Sequence, residues 1–84
     1  MNREEIKNQI VELIKTNMPG FENIDIKDDT QINTEANFDS MTFVYIMCKI
    51  EANFDIQIPK RKWEKMAKLG DIVDAVEKEL KKKA

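Results

Sequence analysis

Met41-Thr42-Phe43-Val44-Tyr45-Ile46-Met47-Cys48-Lys49-Ile50 decides the fold, because this apolar run reads in two ways. Phe43, Val44, Tyr45 and Ile46 are strand-favouring types, and the run has little clear amphipathicity. Three features favour a helix. The run is long, Asp39 or Ser40 ahead of it offers an N-cap, and Met41, Val44, Tyr45 and Cys48 recur at i, i+3, i+4 and i+7 on one face. Cys48 is then expected to be a small buried hydrophobe, as free cysteines commonly are. Loss of a capping side chain such as Asp39 typically costs about 1 kcal/mol.

Upstream, the spacing predicts a helix over Arg3 to Met18. Asn2 caps it with Glu5 three residues on, Ile6, Ile10, Leu13 and Ile14 form its buried stripe, and Pro19-Gly20 ends it. Residues 21–39 are polar, with scattered apolar anchors at Phe21, Ile24, Ile26, Ile32 and Phe38. A connection this long is uncommon in a compact domain. Ile24-Asp25-Ile26 alternates, but too briefly for a strand. Downstream, Phe54 to Ile58 also alternates, only to meet Pro59. Lys60 to Met66 makes a short helical segment anchored by Trp63. A last helix runs from Gly70 to Lys82, with Ile72, Val73, Val76 and Leu80 inward and lysines at the end that the macrodipole favours.

Composition narrows the function. Hydrophobic content of 42% with 36% charged residues suits a globular chain, and two glycines with two prolines argue against an all-β fold. Eighty-four residues make one domain, 1–84. Residues 1–59 carry a charge balance of −6 and residues 60–84 one of +4, giving the net −2. With a pI near 5.2 and acids mixed into the basic end, the chain does not read as a nucleic-acid binder. The lysine-rich end reads as a solvated helix face. One cysteine permits no internal disulfide, and without histidine neither a Ser-His-Asp site nor a Cys/His zinc site is available. Asp25 to Asp29 faintly suggests a calcium loop, but Thr30 and Ala36 stand where Gly and Glu are needed. The start of the chain is charged and no apolar run approaches a membrane span, so the expectation is a cytoplasmic protein without membrane insertion.

Asp29-Thr30-Gln31-Ile32, followed by Asn37-Phe38-Asp39-Ser40-Met41, resembles the attachment region of acyl carrier proteins. Phe54 to Pro59 and Leu69-Gly70-Asp71-Ile72-Val73 are similar to that family's second-helix ending and last-helix start. The resemblance implies an all-α fold: a four-helix bundle of three longer helices and one short third helix, with a long loop between the first two. It implies a non-enzymatic carrier of acyl or aminoacyl thioesters for fatty-acid, polyketide or related biosynthesis. The cargo would sit on 4′-phosphopantetheine joined to Ser40, taken from coenzyme A by a Mg²⁺-dependent phosphopantetheinyl transferase. Asp39 would serve that transferase as a recognition residue, and Met41 would contact the arm or a partner. Acyl-loading and acyl-processing enzymes would meet Thr42, Tyr45, Glu51 and Asp55 on a monomer.

Departures accompany the resemblance. Asn37 stands where the family has Gly, and Ala36 replaces a usual Leu. Members serving fatty-acid synthesis carry acids on the exposed second helix, where this chain has Thr42, Tyr45, Glu51 and Ala52. That difference implies either a specialised carrier with its own partners or a divergent general one. Phe43 and Tyr45 read either as an apolar docking patch or as core. An unmodified helical interaction module is the alternative function; a serine hydrolase with a lysine base is not supported, because nothing brings a lysine to Ser40.

Overall fold

The computed structural model describes residues 2–18, 20–32, 41–63 and 65–83. Four helices appear: α1 (Arg3–Asn17), α2 (Met41–Phe54), α3 (Lys60–Trp63) and α4 (Leu69–Lys83). The described residues contain no strand, only an isolated antiparallel bridge between Gln31 and Lys68. The all-α expectation, with three longer helices, one short one and a long first connection, holds.

α1 begins on the anticipated capping box. The Asn2 side chain accepts the Glu5 backbone N–H at 2.8 Å, and the Glu5 carboxylate accepts that of Asn2 at 3.5 Å. Ile6, Ile10 and Ile14 bury one stripe, with Leu13 packed at its edge. The Met18 N–H closes the helix on the Ile14 carbonyl, and Gly20 follows at φ +92°, a conformation glycine adopts without steric cost. α1 packs against both α2 and α4.

α2 is a helix, but its buried face is not the one the sequence pattern suggested. Phe43, Ile46, Met47, Ile50 and Phe54 are buried, whereas Met41 is 85% exposed, Tyr45 49%, and Cys48 is exposed as well. At 3.6 residues per turn the two stripes lie on nearly opposite sides of the helix. The observed face wins because it buries two Phe and two Ile, and it leaves the tyrosine hydroxyl in water. Cys48 is therefore no buried hydrophobe. Phe43 is core: its ring meets Trp63 edge-on, 84° between planes and 6.4 Å between centroids.

α2 ends on a Schellman-type turn. Asp55 takes φ +54° and the Ile56 N–H returns to the Glu51 carbonyl at 3.0 Å. Phe54, Ile56 and Ile58 then bury alternate side chains while Asp55 and Gln57 face solvent, so the strand-like alternation belongs to an extended connection. Trp63, 5% exposed, donates its indole N–H to the Ile58 carbonyl at 3.1 Å and anchors α3, as expected.

The first connection docks on the start of α4. Gly70 N–H donates to the Asp28 carbonyl at 2.8 Å, Leu69 N–H to the Thr30 carbonyl at 3.0 Å, and Ile32 N–H to the Ala67 carbonyl at 2.7 Å. A Cβ at position 70 would stand 3.1 Å from the Asp28 carbonyl oxygen, which explains glycine there. Ile26 and Ile32 are buried and Phe21 packs on the core, but Ile24, expected as an anchor, is 42% exposed. Phe38, Asn37 and Ala36 lie outside the described residues.

Candidate functional site

Ser40 and Asp39, the central residues of the sequence reading, lie outside the described residues. The site begins for structural purposes at Met41, whose backbone opens α2 and whose side chain stands in solvent. Met41, Tyr45, Cys48 and Ala52 follow one another at i, i+4, i+7 and i+11, and all are exposed, with Thr42 exposed beside them. The helix that buries Phe43 and Ile46 thus turns this second, partly apolar stripe outward. Lys49 places its ammonium 5.4 Å from the centre of the Tyr45 ring, within cation–π range.

The two acids expected at the partner-facing site are engaged within the chain. Glu51 Oε2 accepts the Ile58 backbone N–H at 2.7 Å. Asp55 Oδ2 meets Lys83 Nζ at 2.6 Å, and the same ammonium donates to the Asp55 carbonyl at 2.7 Å. The structure therefore groups Met41, Thr42 and Tyr45 on one face, while Glu51 and Asp55 secure the end of the helix.

Sequence reasoning missed the exposure of Cys48 and the nearness of the basic run Lys60-Arg61-Lys62 to α2. Cys48 and Glu51 line one side of a groove of about 430 Å³ whose other side includes those three cations. Only the rotational phase of α2 could have revealed this, and an apolar run with little contrast hides its phase.

Electrostatics elsewhere tie the bundle together. Arg3 pairs with Asp74 and reaches Glu77 on α4, while Lys7 Nζ meets Asp28 Oδ1 at 2.9 Å. The Lys7 hydrogen bond holds the Asp28 carboxyl below the usual carboxylate range, and the Lys83 hydrogen bond does the same to Asp55. A carboxyl lowered on folding stabilises the fold above its unfolded pKa, near 4, and loses that contribution as pH falls through the lowered value. Lys7 and Arg3, held above their ordinary values, stay charged throughout that window. Melting temperature is accordingly expected to fall more steeply between about pH 5 and pH 2 in the parent than in Asp28→Asn/Asp55→Asn. Parallel curves would mean these exposed pairs contribute nothing.

Among the described residues there is no cluster of His, Cys, Asp and Glu able to hold a metal ion. Nor, among them, is any helix long and apolar enough to cross a membrane.

No family model matches the chain. Curated relatives do. It is 32% identical over 76 residues to the acyl carrier protein of Chloroherpeton thalassium, covering 90% of this chain and 94% of that one. It is 28% identical over 79 residues to the mitochondrial acyl carrier protein of Saccharomyces cerevisiae, covering 90% of this chain but 63% of that one. The acyl carrier protein of Wolinella succinogenes is 28% identical over 74 residues, covering 88% and 91%.

Proposed function

The chain belongs to the acyl carrier protein family, and from that premise we propose that it handles acyl or aminoacyl intermediates on a 4′-phosphopantetheine group joined to Ser40. The arm, when present, supplies a thiol on which the cargo is held as a thioester. The chain itself anchors, positions and presents; it is a substrate of enzymes and not a catalyst. The same reading makes residues 1–84 one monomeric carrier domain working in the cytoplasm, where a reducing environment suits the exposed thiol of Cys48.

The observation that carries this reading is the start of α2. Met41, the residue bonded to Ser40, opens the helix and is 85% exposed. The first turn of α2 contains no acidic residue, so within the helix a phosphodiester on Ser40 meets no like charge, although Asp39 lies next to it in sequence. It meets instead the N–H groups and the positive dipole end that every helix start provides. The residues present therefore fit the group.

Around that point the side chains take distinct roles. Asp39 is read by the phosphopantetheinyl transferase, and the capping role expected of it from the sequence lies outside the described residues. Met41 offers the arm an adaptable apolar contact. Thr42 and Tyr45 face the enzymes that load and process the cargo. Glu51 and Asp55, their carboxylates already held, act on partners through the shape of the α2–α3 connection more than through free charge.

Intact mass after incubation with coenzyme A, Mg²⁺ and a broad-specificity phosphopantetheinyl transferase tests the reading. The expected result is a gain of one phosphopantetheine in the parent and none in Ser40→Ala. Asp39→Ala is expected to slow modification while costing only about 1 kcal/mol of stability. A parent of unchanged mass would leave the unmodified interaction module instead.

A further inference from the structure

The groove between α2 and α3 lies below an uncovered apolar stripe and is bordered by a run of cations. Met41, Tyr45 and Cys48 run down the exposed side of α2, and the last of them, Cys48, lines the groove. Lys60, Arg61 and Lys62 border it from α3, and Lys49 stands outside it on α2, next to Tyr45. Among the described residues none of these four cations lies within ion-pair distance of a carboxylate. The ammonium of Lys60 instead stands 6.0 Å from the centre of the Trp63 ring.

The carboxylates of the same region are already engaged. Glu51 is bonded to the Ile58 N–H, Asp55 to Lys83, and Glu79 to Lys82 at 3.4 Å. Lys60, Arg61, Lys62 and Lys82 against Glu51 and Glu79 leave the described lining of the groove positive, although the chain as a whole is negative.

We propose that this α2–α3 surface docks a protein partner whose matching surface is acidic, an apolar contact seating on Met41 and Tyr45 and carboxylates on Lys60, Arg61 and Lys62. Met, Tyr and Arg are the types enriched where proteins bind proteins, and a guanidinium such as that of Arg61 pairs a carboxylate through two parallel hydrogen bonds. Nucleic acid fits less well, because Tyr45 is the one exposed aromatic of this surface and Trp63 is buried. A lipid surface fits less well too, since four-residue α3 offers no amphipathic face to insert. The inference rests on the carrier reading only in taking the partner to be an enzyme that handles the cargo.

Two amphipathic helical peptides serve as probes, each with a leucine stripe, one flanked by glutamates and the other by lysines. Each is titrated into the isotope-labelled full chain and followed through backbone amide signals. A chain of net charge −2 would ordinarily favour the cationic peptide, so the opposite preference isolates the patch. The acidic peptide is expected to bind about tenfold more tightly and to shift Tyr45, Cys48, Lys49 and residues 60–62. Charge reversal at the three α3 positions (Lys60→Glu, Arg61→Glu, Lys62→Glu), all on the surface, should cancel that preference, as should high salt. Equal or tighter binding of the lysine peptide, shifts elsewhere, or indifference to charge reversal would overturn the proposal. So would tighter binding of the same residues to a single-stranded DNA oligonucleotide or to phosphatidylglycerol vesicles. Neither peptide requires Ser40 to be modified, so this outcome is independent of the mass measurement.

Discussion

Phe43→Ala is expected to destabilise the fold by about 3–5 kcal/mol, whereas Tyr45→Ala, two residues on, should change stability by no more than about 0.5 kcal/mol. Phe43 is 1% exposed and fills the space under Trp63, so truncation removes apolar burial and leaves a cavity. Tyr45 is half in solvent, with the Lys49 ammonium 5.4 Å from its ring centre. For a chain of this size, total stability is on the order of 5–10 kcal/mol, so the first change approaches the threshold of folding. Urea denaturation followed by circular dichroism measures both. A larger loss from Tyr45 than from Phe43 would mean that α2 turns its other side to the core.

The second large effect concerns Trp63. A helix of four residues cannot stand by its own hydrogen bonds, because nucleating helix costs more than one turn returns. α3 therefore persists through its tryptophan, which is buried against Phe43 and bonded to the Ile58 carbonyl. Trp63→Ala is expected to cost about 3–5 kcal/mol. Trp63→Phe keeps most of the ring but leaves the Ile58 carbonyl without its indole donor, and should cost about 1–3 kcal/mol. Because the two rings touch, Trp63→Ala and Phe43→Ala should not add, with a coupling of about 0.5–3 kcal/mol in the double-mutant cycle. Strict additivity would show that the edge-on contact carries no energy of its own.

How far the chain could be read in advance depended on contrast within each segment. α1 and α4 alternate charged and apolar residues at helical intervals, and Ile6, Ile10, Ile14, Ile72, Val73 and Val76 are buried as their spacing indicates. α2 lacks that contrast. Met41, Val44, Tyr45 and Cys48 satisfy helical spacing as well as Phe43, Ile46, Met47 and Ile50 do, and local pattern cannot choose between opposite faces. The choice came from what packs around it, Trp63 and α1 above all. Glu51 shows the same limit on the polar side. Its acid was expected to be a partner contact, but its bond to Ile58 depends on a chain reversal at Asp55 that no local signal marked. Ser40 and Asp39 are proposed only through ordered family motifs, which point to a residue without supplying its surroundings.

The docking of residues 28–32 onto residues 67–70 is made of main-chain atoms, and this shapes how the chain can vary. Gln31 and Lys68 lie exposed at the bridge, so their side chains are free to drift while the register between these distant segments stays the same. Gly70 is constrained there, since an added carbon would press on the backbone it must approach, and Ile32 and Leu69 are constrained by their burial in the core. A junction of this kind preserves its geometry through extensive divergence in sequence.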